Sequence, residues 1–186
     1  MLEIHALSPA RQAHFLKFFD HEGFRDNPEW SSCYCQCYYE DHRSVRWADR
    51  SAAENRRFAC DRIERRTMQG FLAYQDGQAV GWCNAAPRVL LHALDEEPVP
   101  DAHKIGTIVC FLVSPQWRGH GIASALLHAA CAGFRDQGLV LAEGNPRPHA
   151  TSSTENHYGP LSMYLAAGFR AARSDADGSI WVQKDL

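Results

Sequence analysis

The chain has 186 residues, of which 45% are hydrophobic and 22% charged, and its formal net charge is −3. These values fit a single globular domain over 1–186 and argue against a protein that mainly neutralises nucleic-acid phosphates. No apolar run reaches the roughly 18 to 20 residues of a membrane span, and the first residues do not resemble a secretory signal. We therefore expect a cytoplasmic protein that binds neither nucleic acid nor membrane, with its seven cysteines reduced.

In the first half of the chain, residue patterns predict two helices and three strands. One helix begins at Ser51, because Ser51-Ala-Ala-Glu54 matches a reciprocal capping box. Asp76-Gly77 is a turn that joins two strands into an antiparallel hairpin. The predicted elements are a strand at 2–7, helices at 9–20 and 51–68, and strands at 71–74 and 79–85, followed by an exposed connection at 87–103.

The second half predicts a strand–helix–strand crossover. Residues 105–113 form a nearly continuous apolar run, which fits a strand covered on both faces. Apolar residues then recur at helical spacing from Ile122 to Phe134, and the next strand is predicted at 139–142. Such a connection makes the two strands parallel neighbours. A short helix at 160–167 and strands at 169–173 and 179–183 complete the predicted α/β fold.

The turn of this crossover, Gln116-Trp-Arg-Gly-His-Gly121, has the features of an anion site. Its glycines let the backbone approach a ligand, and the helix start offers free N–H groups and a favourable dipole. Arg118 adds a positive charge. The Walker pattern and the three-glycine dinucleotide fingerprint are both missing from this turn. The residues alone favour a diphosphate but leave open a tight turn with nothing bound.

Two segments resemble motifs of the GCN5-related N-acetyltransferase (GNAT) superfamily. Residues 110–127 resemble its acyl-CoA-binding motif, with Gln116, Gly119 and Gly121 at the hallmark positions. Leu161–Phe169 resembles its Tyr-x-x-x-Gly-Phe ending. The resemblance implies a GNAT fold, in which a mixed central sheet of about six to seven strands is flanked by about four helices. In that fold the fourth and fifth strands are parallel and splayed.

The resemblance also implies an enzyme that moves acetyl from acetyl-CoA to a primary amine of a small molecule by direct attack. Tyr164 would protonate the departing CoA thiolate, although an aromatic residue merely packed on the last helix is the alternative. Glu143, at the end of the second parallel strand, is the candidate base; the alternatives are a solvated strand-end carboxylate and a substrate-positioning residue. The residues expected to contact the cofactor are Phe111, Leu112, Val113, Gln116, Arg118, Gly119, His120, Gly121, Ile122 and Ala123.

The segment 30–42 is dense in Trp, Cys and Tyr, and in this family it lies over the acceptor pocket. We expect acceptor contacts from Trp30, Cys33, Tyr34 and Cys35, with Tyr38 and Tyr39 also shaping the cleft. No metal is expected, because structural zinc usually uses Cys-x2-Cys pairs and Cys33, Cys35 and Cys37 are spaced differently. A metal- or redox-responsive protein built on these cysteines and a non-catalytic acyl-CoA-binding or sensing domain are the alternative functions. The oligomeric state is left open, a homodimer included.

Overall fold

The computed structural model describes residues 1–96, 99–147, 155–175 and 178–186. The strands in these ranges are β1 Leu2–Ala6, β2 Gly70–Gln75, β3 Gln78–Pro87, β4 Ile105–Val113, β5 Leu141–Gly144, β6 Arg170–Ser174 and β7 Ile180–Asp185. The α-helices are α1 Gln12–Lys17, α2 Ala52–Glu64, α3 Ile122–Asp136 and α4 Leu161–Ala166. The strands form one seven-stranded sheet in the order β1-β2-β3-β4-β5-β7-β6. No helix in the described ranges is long and apolar enough to cross a bilayer.

The parallel pair β4–β5 opens into a gap halfway along β4. The two strands pair from Ile105 opposite Leu141 to Ile108 opposite Gly144, whereas β4 continues to Val113. On its other side, the register between β4 and β3 shifts at Asn84/Ala85, so that Val109 forms a bulge. The short 3₁₀ turn Glu155–Tyr158 contacts β4. The predicted parallel and splayed pair is therefore confirmed.

Hydrophobic cores cover both faces of the sheet. On one face, α3 packs through Leu126, Leu127, Ala130 and Phe134. The ring of Phe134 lies so close to β4 that a Cβ added at Gly106 would be 2.4 Å from it. On the other face, the buried side chains come from α1, α2 and the middle strands; the largest are Phe15, Phe18, Phe19, Ile63, Leu72 and Trp82.

The helix predicted at 51–68 ends at Glu64 and the strand predicted at 139–142 is Leu141–Gly144, whereas two other segments differ in more than their bounds. The helix predicted at 9–20 is α1 flanked by a 3₁₀ turn, Pro9–Arg11, and a π-helical turn, Phe18–Glu22. The wider turn places the adjacent Phe18 and Phe19 side chains in the core together. The prediction that 87–103 is an exposed connection is wrong for its first part, because Arg88 and Leu91 are buried. Arg88 turns inward to pair with Glu143 on β5.

Candidate functional site

The turn between β4 and α3 presents backbone rather than side chains. Gly119 and Gly121 have φ values of +78° and +77°, a region that glycine adopts without steric cost. A Cβ added at either glycine would meet nothing within 4 Å, so conformation and not crowding requires glycine here. α3 begins at Ile122 without a side-chain cap on its first amides. An anion placed before the helix would satisfy those amides and the helix dipole.

A cavity of about 370 Å³ runs from this turn along the unpaired half of β4, and we call it the cofactor cavity. Its walls include several residues predicted to bind the cofactor: Phe111, Leu112, Val113, Arg118, Gly119 and Ala123. Gln116 and His120 are exposed beside the cavity and do not line it. Gly121 and Ile122 do not line the cavity either. The Ile122 side chain is buried in the core under α3.

The charge of Arg118 is already paired. Its Nη1 and Nη2 donate to the two carboxylate oxygens of Asp26 at 2.5 and 3.1 Å, and its Nε donates to the Val113 carbonyl at 3.1 Å. The hydrogen bond from Arg118 lowers the pKa of Asp26. Arg118 is therefore held at the cofactor cavity, but a bound diphosphate would have to share it with Asp26.

A second cavity, of about 460 Å³, adjoins the first, and we call it the acceptor cavity. The two cavities share five lining residues, Phe24, Trp30, Phe111, Leu112 and His157. The rest of the wall comes largely from the cysteine segment and the turn 155–158; it includes Cys33, Cys35, Cys37, Tyr38, Trp47, Cys110 and Tyr158. Three of the residues predicted to contact the acceptor, Trp30, Cys33 and Cys35, thus lie on this surface.

Tyr34, the fourth predicted acceptor contact, lies in the core instead. Its hydroxyl donates to Asp20 at 2.6 Å, and its side chain stacks on Phe19. Burial and the bond to Asp20 raise the pKa of Tyr34 to about 12. Tyr39 is likewise buried, with its hydroxyl donating to Asn84 at 3.0 Å. The backbone of Tyr34 is left-handed and its side chain is buried, two features that composition does not indicate.

The phenol hydroxyls at the acceptor cavity come from Tyr38 and Tyr158. Tyr38 donates to the Tyr158 oxygen at 3.1 Å. Sequence reasoning missed Tyr158, since it follows a polar segment without periodicity and belongs to neither motif. The sequence offers one signal for it: Tyr158 is the last aromatic residue before the final helix.

The cysteines of the acceptor cavity are thiols packed against each other. A hydrogen bond with Cys35, followed by burial, raises the pKa of Cys33, and a hydrogen bond with Cys110 raises that of Cys35. Burial raises the pKa of Cys37 to about 12. All seven cysteines are free. Thiols held protonated in this way are weak nucleophiles.

Within the described ranges, no group of three or more His, Cys, Asp or Glu side chains could hold a metal ion.

The two residues predicted to move protons are both engaged elsewhere. Tyr164 is fully buried, and its hydroxyl donates to the Tyr158 carbonyl at 3.0 Å. Glu143 Oε1 accepts from Arg88 Nη1 at 2.5 Å and from Thr107 Oγ1 at 2.8 Å, with both partners buried. Both assignments stay predictions, and this geometry counts against them.

Comparisons with known proteins agree with this architecture. Solved structures of similar fold include the ribosomal-protein-alanine N-acetyltransferase of Brucella melitensis, 15% identical with a TM-score of 0.61 over 99% of each chain. The GNAT domain of S. lividans PAT is 18% identical with a TM-score of 0.62, over 100% of this chain and 90% of that one. The PaiA N-acetyltransferase of Thermoplasma acidophilum, in complex with coenzyme A, is 16% identical with a TM-score of 0.59, over 100% of this chain and 99% of that one.

At these identities the structural likeness shows the fold, and the family rests on sequence. No curated protein sequence gives a significant match. The model of the acetyltransferase (GNAT) family matches residues 15–152, which is more than half of the chain. The two predicted motifs, the splayed parallel pair and this match agree: the chain belongs to the GNAT family of acetyltransferases, whose acetyl donor is acetyl-CoA.

Proposed function

We propose that this protein transfers the acetyl group of acetyl-CoA to a primary amine of a small molecule by direct attack. The observation that carries the proposal is the contact between the two cavities, which meet along Phe111 and Leu112 on the unpaired half of β4. A diphosphate at the glycine turn directs the pantetheine arm along the cofactor cavity, and its thioester then reaches the shared wall. An amine in the acceptor cavity approaches that thioester from the other side.

The lining of the acceptor cavity supports an amine on an apolar body. Aromatic side chains, among them Trp30 and Trp47, and four thiols supply most of its surface, and the lining described includes no lysine or arginine. Glu29 places one carboxylate at this cavity, where it attracts an ammonium group before deprotonation. Its volume of about 460 Å³ fits a small molecule, since such sites span about 300–1,000 Å³.

The reaction joins nitrogen to carbon and releases a thiol. The neutral amine attacks the thioester carbonyl carbon, and the nitrogen loses a proton to solvent. The carbon–sulfur bond then breaks, the electron pair goes to sulfur, and CoA leaves as the thiol after protonation. Because β4 pairs with β3 on one side only beyond Ile108, its outward backbone groups can hydrogen-bond the pantetheine arm.

A thiol-release assay with acetyl-CoA and an amine panel tests this function. We expect turnover with arylalkyl and long-chain aliphatic monoamines, and weaker turnover with polyamines, amino sugars and peptide N-termini. Trp47→Ala should raise KM for the amine and leave the Kd of acetyl-CoA unchanged, because Trp47 lines only the acceptor cavity. Val140→Ala, at an exposed apolar side chain away from both cavities, is the control. Tight acetyl-CoA binding without turnover of any amine would contradict the proposal.

A non-catalytic acyl-CoA-binding domain is the second candidate. The observation in its favour is that Glu143 Oε1 and the Tyr164 hydroxyl are both hydrogen-bonded within the fold. Such a domain would keep the glycine turn and the cofactor cavity and would need no proton transfer. Calorimetry with acetyl-CoA gives the same result for both candidates, so turnover over the amine panel decides between them.

A further inference from the structure

The Tyr38–Tyr158 pair lies in the acceptor cavity, whose lining includes the Phe111 wall shared with the cofactor cavity. Both side chains line the acceptor cavity together with Cys110 and Phe111 on the unpaired half of β4. They come from segments 120 residues apart, and their hydroxyl oxygens are 3.1 Å from each other. The proposed reaction needs a proton donor at this point, because a thiolate is the species that leaves the carbonyl carbon.

The hydrogen bond between the two hydroxyls leaves one proton over. Either hydroxyl can donate across the 3.1 Å between the oxygens, and when Tyr38 donates, the Tyr158 proton is available to a ligand in the acceptor cavity. Tyr164 differs in both respects, since its proton goes to the Tyr158 carbonyl and its side chain lines neither cavity.

The surroundings of Tyr158 also stabilise the phenolate that proton transfer would leave. The Tyr38 hydroxyl can donate to the phenolate oxygen with the same geometry. The guanidinium carbon of Arg147 lies 5.3 Å from the centre of the Tyr158 ring, so a positive charge is close to the ring that becomes anionic.

We propose that Tyr158 is the general acid of the acetyl transfer and that Tyr38 positions it. As the carbon–sulfur bond breaks, the electron pair moves to sulfur and the Tyr158 hydroxyl proton is transferred to that sulfur. The resulting phenolate is held by Tyr38 and Arg147 and recovers a proton from solvent, which received one from the amine nitrogen. This inference rests on the proposed function.

Two measurements on Tyr158→Phe test the assignment. The first is the ratio of the Kd of desulfo-CoA to that of CoA, which reports a hydrogen bond to sulfur without any turnover. The wild type should bind CoA about two- to tenfold more tightly than desulfo-CoA, as one hydrogen bond allows, and Tyr158→Phe should abolish the difference. The second is kcat, which should fall at least about 100-fold in Tyr158→Phe, with the Kd of acetyl-CoA unchanged.

Three further variants separate the roles. Tyr38→Phe should lower kcat by less than Tyr158→Phe and leave KM for acetyl-CoA unchanged, because it acts through Tyr158. Tyr74→Phe removes a hydroxyl on β2 that contacts His14 and lies outside both cavities, so it should match the wild type. A loss of kcat in Tyr164→Phe with none in Tyr158→Phe would assign the acid to Tyr164 and overturn the proposal.

The binding ratio keeps this inference distinct from the proposed function. If Tyr158→Phe retains the wild-type preference for CoA over desulfo-CoA, Tyr158 does not touch the sulfur and the inference fails, whether or not amines are acetylated. If the preference is lost but the wild type acetylates no amine, the proposed function fails and the acid role fails with it. Loss of both the preference and kcat supports the inference.

Discussion

Replacing Arg88 with methionine would remove the cation that lies against Glu143 beneath the splayed strands. Arg88 and Glu143 are 4% and 3% exposed, so water cannot screen the carboxylate that remains. Thr107 would still donate to it at 2.8 Å, which offsets only part of the desolvation of a charge. Breaking one partner of a buried ion pair costs about 3–5 kcal/mol in measured cases. Since a domain is stable by about 5–15 kcal/mol, Arg88→Met should lose a large fraction of the total.

Urea unfolding followed by tryptophan fluorescence measures this loss, because Trp82 and Trp181 are buried in the fold and become exposed to water on unfolding. The double variant Arg88→Met/Glu143→Leu replaces both charges with apolar side chains of similar size. It should recover most of the stability, since two apolar partners need no desolvation of charge. A loss below about 1 kcal/mol in Arg88→Met, or a double variant no more stable than the single one, would refute the reasoning.

The same residues test the predicted base. Glu143→Gln keeps the shape of the side chain and removes its charge and its ability to take a proton. If Glu143 serves only the ion pair, the folded fraction of this variant should keep kcat within about tenfold of the wild type, while the stability falls. A fall in kcat of about 100-fold or more without loss of stability would instead assign the base to Glu143.

Two further predictions concern the glycine turn and the core. Because the bond from Arg118 lowers the pKa of Asp26, their pair should stabilise the fold fully above about pH 4 and cease to do so as the pH falls through that lowered value. Asp26→Asn should abolish the fall in the urea unfolding midpoint that this pair causes at acidic pH, and it should lower the Kd of acetyl-CoA because Arg118 is then free of Asp26. An unchanged pH profile of the midpoint and an unchanged Kd would contradict this prediction. Gly106→Ala should cost about 1–3 kcal/mol in urea unfolding through its contact with Phe134, and a neutral result would show that the ring can move.

The sequence predicts best those elements whose signal is local. The apolar run at 105–113 has the same bounds as β4, because a strand buried on both faces needs apolar residues throughout. The capping box at Ser51 and Glu54 forms with both of its hydrogen bonds, since its residues are three positions apart and need no distant partner. The glycine turn is predictable for the same reason: its positive φ angles restrict the residue type directly.

The acceptor side depends on contacts between distant segments, which a single sequence does not indicate. Tyr34 and Tyr38 are the same residue type and both follow a cysteine in the segment 30–42. The Tyr34 hydroxyl nevertheless pairs with Asp20 in the core, and the Tyr38 hydroxyl pairs with Tyr158 at the cavity. The burial of Arg88 is decided by a carboxylate 55 residues away on another strand. The family resemblance could therefore predict the cysteine segment as the acceptor wall, whereas local patterns do not separate its cavity-facing residues from its core residues.

Asn84 explains how that segment is held over the gap. It lies at the β3 position where the register with β4 shifts, and its side chain is fully buried. Its Nδ2 donates to the Cys35 carbonyl at 3.4 Å and to Cys35 Sγ at 3.3 Å, while its Oδ1 accepts from Tyr39 at 3.0 Å. The bulge that disturbs β4 and the wall that covers the acceptor cavity are therefore joined through one amide. Under the proposed function, an acceptor cavity fixed in this way to the central sheet would select its amine by the shape and chemistry of its wall.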